Sequence, residues 1–164
     1  MSDEIVRIEK LSKEHNRRAF SCGVASLDTY LRTLARQDVK RNVATCFVAV
    51  ESSGFIVGYY TLAAASIPLP DLPEELSQKL PSYPNIPAAC IGRLAVDTRR
   101  RNLQYGGALL ADALTRIRAS DIAVYATVVD AISDEAAAFY LHYGFQRFMD
   151  DRNRLFIPMS HIPC

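Results

Sequence analysis

Gly92-Arg93-Leu94-Ala95-Val96-Asp97, continued by Thr98-Arg99-Arg100-Arg101-Asn102-Leu103-Gln104-Tyr105-Gly106-Gly107, decides how the rest of this 164-residue chain is read. Residues 88–96 form a nearly continuous apolar run, interrupted by Gly92 and Arg93. Such a run predicts a strand buried on both faces, its glycine marking a bulge or a close backbone approach. Leu109, Leu110, Ala113, Leu114 and Ile117 then mark a helix that opens around Tyr105, Gly106 and Gly107. A strand feeding a glycine-containing turn at a helix start aims free backbone N–H groups, and the positive end of the helix dipole, at one point. That is an anion site, best suited to phosphate, and Arg99, Arg100 and Arg101 add charge beside it. The glycines form neither Gly-x-Gly-x-x-Gly nor a Walker loop, which argues against a dinucleotide oxidoreductase or a nucleotide hydrolase.

Working toward the N-terminus, residues 46–50 and 55–65 are β-forming runs joined by Glu51-Ser52-Ser53-Gly54, a hairpin signal. Before them, Leu27, Tyr30, Leu31, Leu34 and Ala35 repeat at helical spacing, with Ser26 as the expected N-cap and Asp28 in the first turn. The opposite face carries Arg32, Arg36 and Lys40, and on spacing alone it reads as a solvated face with an Asp28–Arg32 pair. Residues 5–9 read as a first strand. Residues 67–87 hold six of the eight prolines and predict a surface excursion with one helical turn near residues 74–80.

Toward the C-terminus, residues 122–129 predict a second buried strand. Ser133 is placed to cap a third helix whose first turn holds Asp134 and Glu135, and Gly144 ends it with Phe145 set for a hydrophobic contact. Final strands fit residues 145–148 and 155–159. The succession predicts an α/β fold, a mixed sheet covered by helices, in one domain spanning residues 1–164 with no repeat or linker.

Composition agrees: 49% hydrophobic and 23% charged residues are the proportions of a globular chain and exclude a disordered one. The longest apolar runs are too short to cross a bilayer and residues 1–4 are acidic where a signal peptide is basic, so a cytoplasmic protein without a membrane partner is expected. Cys22, Cys46, Cys90 and Cys164 form no metal-ligand spacing with His15, His142 or His161, and read as buried or incidental thiols with no metal. Net charge is only +1, but it is unevenly spread. Residues 1–50 carry nine Lys and Arg against six Asp and Glu, and residues 91–118 carry six against two. A polarised surface of this kind attracts a polyanion at one face.

Gly92-Arg93-Leu94-Ala95-Val96-Asp97, the Arg101-x-x-Gln104-x-Gly106 turn and Phe139-Tyr140-x-x-Tyr143-Gly144-Phe145 together resemble the GNAT superfamily of N-acetyltransferases. Phe20, Cys22-Gly23, Leu27-Asp28, Tyr30-Leu31 and the segment from Gly58 to Leu62 narrow the resemblance to the GNAT toxins of toxin-antitoxin pairs, which acetylate aminoacyl-tRNA. The resemblance implies a mixed, mostly antiparallel central sheet flanked by helices. It also implies acetyl-CoA as co-substrate, a ribbon-helix-helix antitoxin as partner, and a homodimer.

For the site, the resemblance implies that the backbone of Leu94, Ala95 and Val96 pairs with the pantetheine arm. The pyrophosphate is expected on the turn from Arg101 through Asn102, Leu103, Gln104, Tyr105 and Gly106, with Gly107 following. Gln104 stands where the first glycine is expected; a negative φ lets it lend its N–H freely, whereas a left-handed one costs about 1 kcal/mol or more. The resemblance assigns Tyr140 as the acid that protonates the departing thiolate, a task for which a phenol of pKa ~10 is protonated at neutral pH. Without the family, Tyr140 reads as a half-buried helix tyrosine packed on the sheet. No general base stands out, and Asp97 and Glu135 have local reasons to be where they are. Phosphates of a tRNA acceptor are expected on Arg93, Arg99 and Arg100, with the Arg32, Arg36, Lys40 face as the further candidate. Two alternatives stay open: an acetyltransferase of a protein or small amine, and an attenuated, cofactor-binding regulatory partner.

Overall fold

The computed structural model describes residues 6–162; the acidic stretch 1–4, Ile5 of the expected first strand, and Cys164 lie outside them. The elements are β1 (Arg7–Lys10), α1 (Ala25–Thr29), a π-helical turn (Tyr30–Leu34), α2 (Ala35–Lys40), β2 (Thr45–Val50), β3 (Ile56–Pro68), α3 (Glu74–Ser77), β4 (Asn85–Val96), α4 (Tyr105–Ala119), β5 (Ala126–Asp130), α5 (Asp134–His142), β6 (Gln146–Arg147) and β7 (Arg154–Pro158). The strands form one seven-stranded sheet in the order β1-β2-β3-β4-β5-β7-β6. β1/β2, β2/β3, β5/β7 and β6/β7 are antiparallel and β4/β5 is parallel, so the sheet is mixed and mostly antiparallel.

The chain divides into two compact units, Met1–Ala63 with Gly92–Thr115, and Ala64–Ile91 with Arg116–Cys164. In the first, Phe20, Leu31, Val48, Tyr59 and Ala95 belong to one buried cluster. Gly58 has no room for a side chain there: a Cβ would stand 2.8 Å from the Ala95 carbonyl oxygen and 2.7 Å from Leu109 Cδ1. In the second, Ile67, Ile86, Val128, Phe148 and Phe156 form the core.

Four local expectations are corrected. The first helix begins at Ala25, one residue before Ser26, and its N-cap, Val24, makes no side-chain capping bond. The carboxylate that organises this corner is Asp28, whose Oδ1 accepts the Cys22 N–H at 2.8 Å, so the Asp28–Arg32 pair does not form and Arg32 Nη1 donates to the Phe20 carbonyl instead. The widened π-helical turn then rephases the apolar stripe: Leu27, Tyr30, Leu31 and Ala35 are buried, while Leu34 is 46% exposed. The strand expected over 122–129 starts at Ala126, because the Ile122 N–H is spent on Ser120 Oγ and its side chain is 77% exposed.

Candidate active site

β4 delivers Leu94, Ala95 and Val96 with Ala95 buried and its neighbours half-buried, so this segment is less enclosed than an apolar run suggests. Asp97 ends the strand fully buried. Its carboxylate accepts the backbone N–H groups of Ser21 and Arg99, each at 2.9 Å, and the Arg99 guanidinium at 2.9 Å on both oxygens. Burial alone would raise the Asp97 pKa, but Arg99 and the two backbone donors together hold it below the ordinary carboxylate value. A carboxylate so occupied is a structural anchor and a poor base.

Arg101 is extended at φ −67° and sends Nη2 to the Cys22 carbonyl at 2.9 Å. Asn102 and Gln104 follow in left-handed conformations, φ 64° and 65°. Gln104 thus takes the costlier of its two options, a strain of about 1 kcal/mol that glycine would not feel. Its carbonyl accepts the Ala108 N–H at 3.1 Å. The amides of Tyr105, Gly106 and Gly107 precede that bond and have no helical acceptor by geometry, which leaves them free for an anion. Leu103 is 51% exposed beside them.

Tyr140 is set by the end of α5. Ser133 caps the start, its Oγ accepting the Ala136 N–H at 3.1 Å. At the end, Gly144 turns left-handed at φ 97°, its N–H donates to the Leu141 carbonyl, and the Phe145 N–H donates to the Tyr140 carbonyl, both at 3.1 Å. This is the paired closure of a Schellman motif, and its accompanying hydrophobic contact is the one between the Tyr140 and Phe145 rings, 5.3 Å apart. Phe139 meets the Tyr140 ring edge-on at 5.1 Å. Burial, with Cys90 adding to it, pushes the Tyr140 pKa well above that of free tyrosine.

The six cationic candidates fall into different environments. Arg99 and Arg100 carry ion pairs, Arg99 with Asp97 and Arg100 with the buried Glu51 at 2.6 Å, and both guanidinium groups lie over the Phe55 ring. Arg93 instead stacks on Tyr30, its guanidinium carbon 3.5 Å from the ring centroid. Arg32 and Lys40 are exposed and Arg36 is half-buried. Cys22 and Cys46 are buried, and burial raises their thiols to about 11 and about 12, so neither supplies a thiolate at neutral pH. Among the described residues no group of three or more His, Cys, Asp or Glu is placed to hold a metal ion, and no helix is long and apolar enough to cross a membrane.

A model of the acetyltransferase (GNAT) family matches residues 8–145. The chain is 36% identical over 144 residues to a "tRNA-acetylating toxin" of Mycobacterium tuberculosis, covering 87% of this chain and 85% of that protein. It is 33% identical over 158 residues to a "Probable toxin TacT" of Sinorhizobium fredii, covering 90% and 87%. The solved structure "AtaT complexed with acetyl-methionyl-tRNAfMet" superposes with a TM-score of 0.89 at 26% identity, over 95% of this chain and 96% of that one.

Proposed function

Because this chain belongs to the acetyltransferase (GNAT) family, we propose that it moves an acetyl group from acetyl-CoA to the α-amino group of aminoacyl-tRNA, which keeps that amino acid from joining a peptide chain. The observation that carries this reading is the 36% identity to a tRNA-acetylating toxin across 87% of the chain. Residues 1–164 are read as one acetyltransferase domain that works in the cytoplasm, where charged tRNA is found.

The residues present fit acetyl-CoA. Leu94, Ala95 and Val96 offer a half-buried backbone edge to the amide-bearing pantetheine arm. The turn from Arg101 to Gly107 offers unpaired helix-start amides to the pyrophosphate. In the reaction the amine lone pair attacks the thioester carbonyl carbon, and the C–S bond breaks as the tetrahedral carbon collapses. Tyr140 then donates its O–H proton to the departing thiolate and regains one from solvent. A phenol of pKa ~10 already holds this proton at neutral pH, and burial, which raises the Tyr140 pKa, leaves it protonated until the thiolate departs. The proton lost by the amine passes to water. An α-amine, with pKa ~7.7 to 8.0, is roughly a tenth neutral at pH 7, whereas a lysine amine at ~10.4 is neutral in well under about a thousandth, so this acceptor class has the lesser need of a protein base.

Acceptor phosphates are assigned to Arg93, Arg99 and Arg100, with Arg32, Arg36 and Lys40 extending the track. Arg99 and Arg100 enter this role with their charge already shared with Asp97 and Glu51, so a smaller share is expected of them. A ribbon-helix-helix antitoxin and a homodimer complete the reading, on the strength of the sequence resemblance. Incubating the protein with labelled acetyl-CoA and a charged tRNA pool tests it. Label is expected on the amino group of the esterified amino acid; label on protein lysines, or none, overturns it.

A further inference from the structure

The motif that narrowed the resemblance includes Tyr30, which sequence places only in the apolar stripe of the first helix. In the structure Tyr30 opens the π-helical turn, is only 3% exposed, and is fixed on two sides. Its hydroxyl donates to Asp38 Oδ2 at 2.7 Å, and its ring stacks on Tyr59, centroids 6.4 Å apart at 15°. Tyr59 is itself anchored, its O–H donating to the Leu27 carbonyl at 2.7 Å. Arg93 rises from β4 one residue before Leu94. It alternates onto the same side as Ala95, which shares the buried cluster with Tyr30 and Leu31. Its guanidinium lies over the Tyr30 ring at 3.5 Å.

Arg93 therefore differs from Arg99 and Arg100. Those two spend their N–H donors on buried carboxylates, whereas Arg93 makes no ion pair among the described residues. A guanidinium held by its face keeps the N–H donors around its rim, in the planar fork that fits a phosphate through two parallel hydrogen bonds. Half-buried on the strand that leads into Leu94, it is fixed before any ligand arrives, so little side-chain entropy remains to be lost on binding.

We propose that Arg93 binds a phosphate of the acceptor nucleic acid close to its aminoacylated end, and that Tyr30, braced by Asp38, is its positioning residue. This rests on the aminoacyl-tRNA reading, and it makes the plane of the guanidinium matter as well as its charge.

Steady-state kinetics on charged tRNA, with acetyl-CoA affinity measured separately, tests it. Arg93→Lys keeps the charge but loses the planar fork and the stack, and is expected to raise KM for charged tRNA about tenfold while acetyl-CoA affinity holds. Arg93→Ala is expected to make the logarithmic salt slope of tRNA affinity shallower by about 0.7 to 0.9, one phosphate contact. Tyr30→Leu should reproduce the KM effect of Arg93→Lys and add nothing further in the Arg93→Ala background, since both changes remove one interaction. Tyr30→Phe keeps the ring but loses the Asp38 brace, and should raise KM about threefold only where Arg93 is present; should Tyr30→Leu fail to fold, no rise, or an equal rise in the Arg93→Ala background, overturns the positioning role. An unchanged salt slope in Arg93→Ala, or additive losses in the double variant, overturns the proposal while leaving acetylation of charged tRNA intact. A fall in acetyl-CoA affinity also overturns it, by assigning the phosphate to the co-substrate. Failure of the unmodified protein to acetylate charged tRNA removes the reading beneath it.

Discussion

The start of α4 and the end of α5 are both helix ends that demand a left-handed residue, and they meet the demand differently. At the end of α5, Gly144 supplies φ 97° without a side chain to object, and the turn closes with the paired hydrogen bonds that fix Tyr140 against Phe145. Before α4, Gln104 is driven to φ 65°, two residues after Asn102 at 64°, and the side chain of Leu103 between them faces solvent. The first turn is relaxed and holds two buried rings, Tyr140 and Phe145; the second is strained and its apolar side chain, Leu103, is exposed. In the proposed reaction a rigid acid suits the relaxed end, where the position of the Tyr140 hydroxyl would decide turnover. The proposed phosphate cradle would tolerate the strained one, because its donors are backbone amides that a bound anion would satisfy.

The comparison breaks most visibly at Tyr140. Tyr140→Phe is expected to lower kcat by roughly 10²- to 10⁴-fold with the thermal midpoint and acetyl-CoA affinity little changed, since only one hydroxyl is lost. A fully active variant would return Tyr140 to a packing role, as would a loss of stability matching the loss of rate.

Acid should separate the two ends next. The approach to α4 depends on Asp97 and on the Arg100–Glu51 pair. The closure at the end of α5 is made of backbone hydrogen bonds and rings. Asp97 and Glu51 have pKa values held below their ordinary 3.8 and 4.5, so the stability they contribute is complete above those values and disappears as pH falls through the lower folded-state ones. Hydrogen exchange measured down the pH scale should therefore find residues 97–107 opening before residues 140–145. Asp97→Asn should cost about 2 to 3 kcal/mol at neutral pH and flatten that dependence.

Gly144→Ala puts a Cβ where φ is 97° and is expected to cost about 1 to 2 kcal/mol, with kcat falling as Tyr140 shifts. Gln104→Gly is the mirror test and the smallest effect, a gain of up to about 1 kcal/mol in stability with acetyl-CoA affinity equal or better. Denaturant melts read both. A loss of acetyl-CoA affinity on Gln104→Gly, measured by calorimetry, would mean that the glutamine side chain makes its own contact with the co-substrate.

How far sequence carries is itself uneven along the same lines. The strand, turn and helix around Asp97 and Gly106, and the Ser133 and Gly144 caps, are local features whose physics lies within a few neighbouring residues. Ser26, Leu34 and the arginine cluster are not. Ser26 loses its capping role because Asp28 reaches back to Cys22, and Leu34 turns outward because a π-helical turn changes the period of the stripe. Arg99 and Arg100 look like free charge in the chain, yet Arg100 is paired with a glutamate 49 residues away, and the Asp97 that holds Arg99 is tied to a backbone amide 76 residues away. No spacing rule reports such partners. The Tyr30–Arg93 stack is hidden for the same reason, although both of its residues stand inside motifs that sequence singles out.

The central claim, acetyl transfer to an α-amine presented by tRNA, is tested most directly by comparing the same aminoacyl group on tRNA and on a small, phosphate-free ester across a salt series. The account predicts a far higher kcat/KM on tRNA at low salt, falling steeply as salt rises, beside a slower ester reaction that barely responds. Equal efficiency on the two acceptors, or the same flat salt response for both, would contradict it.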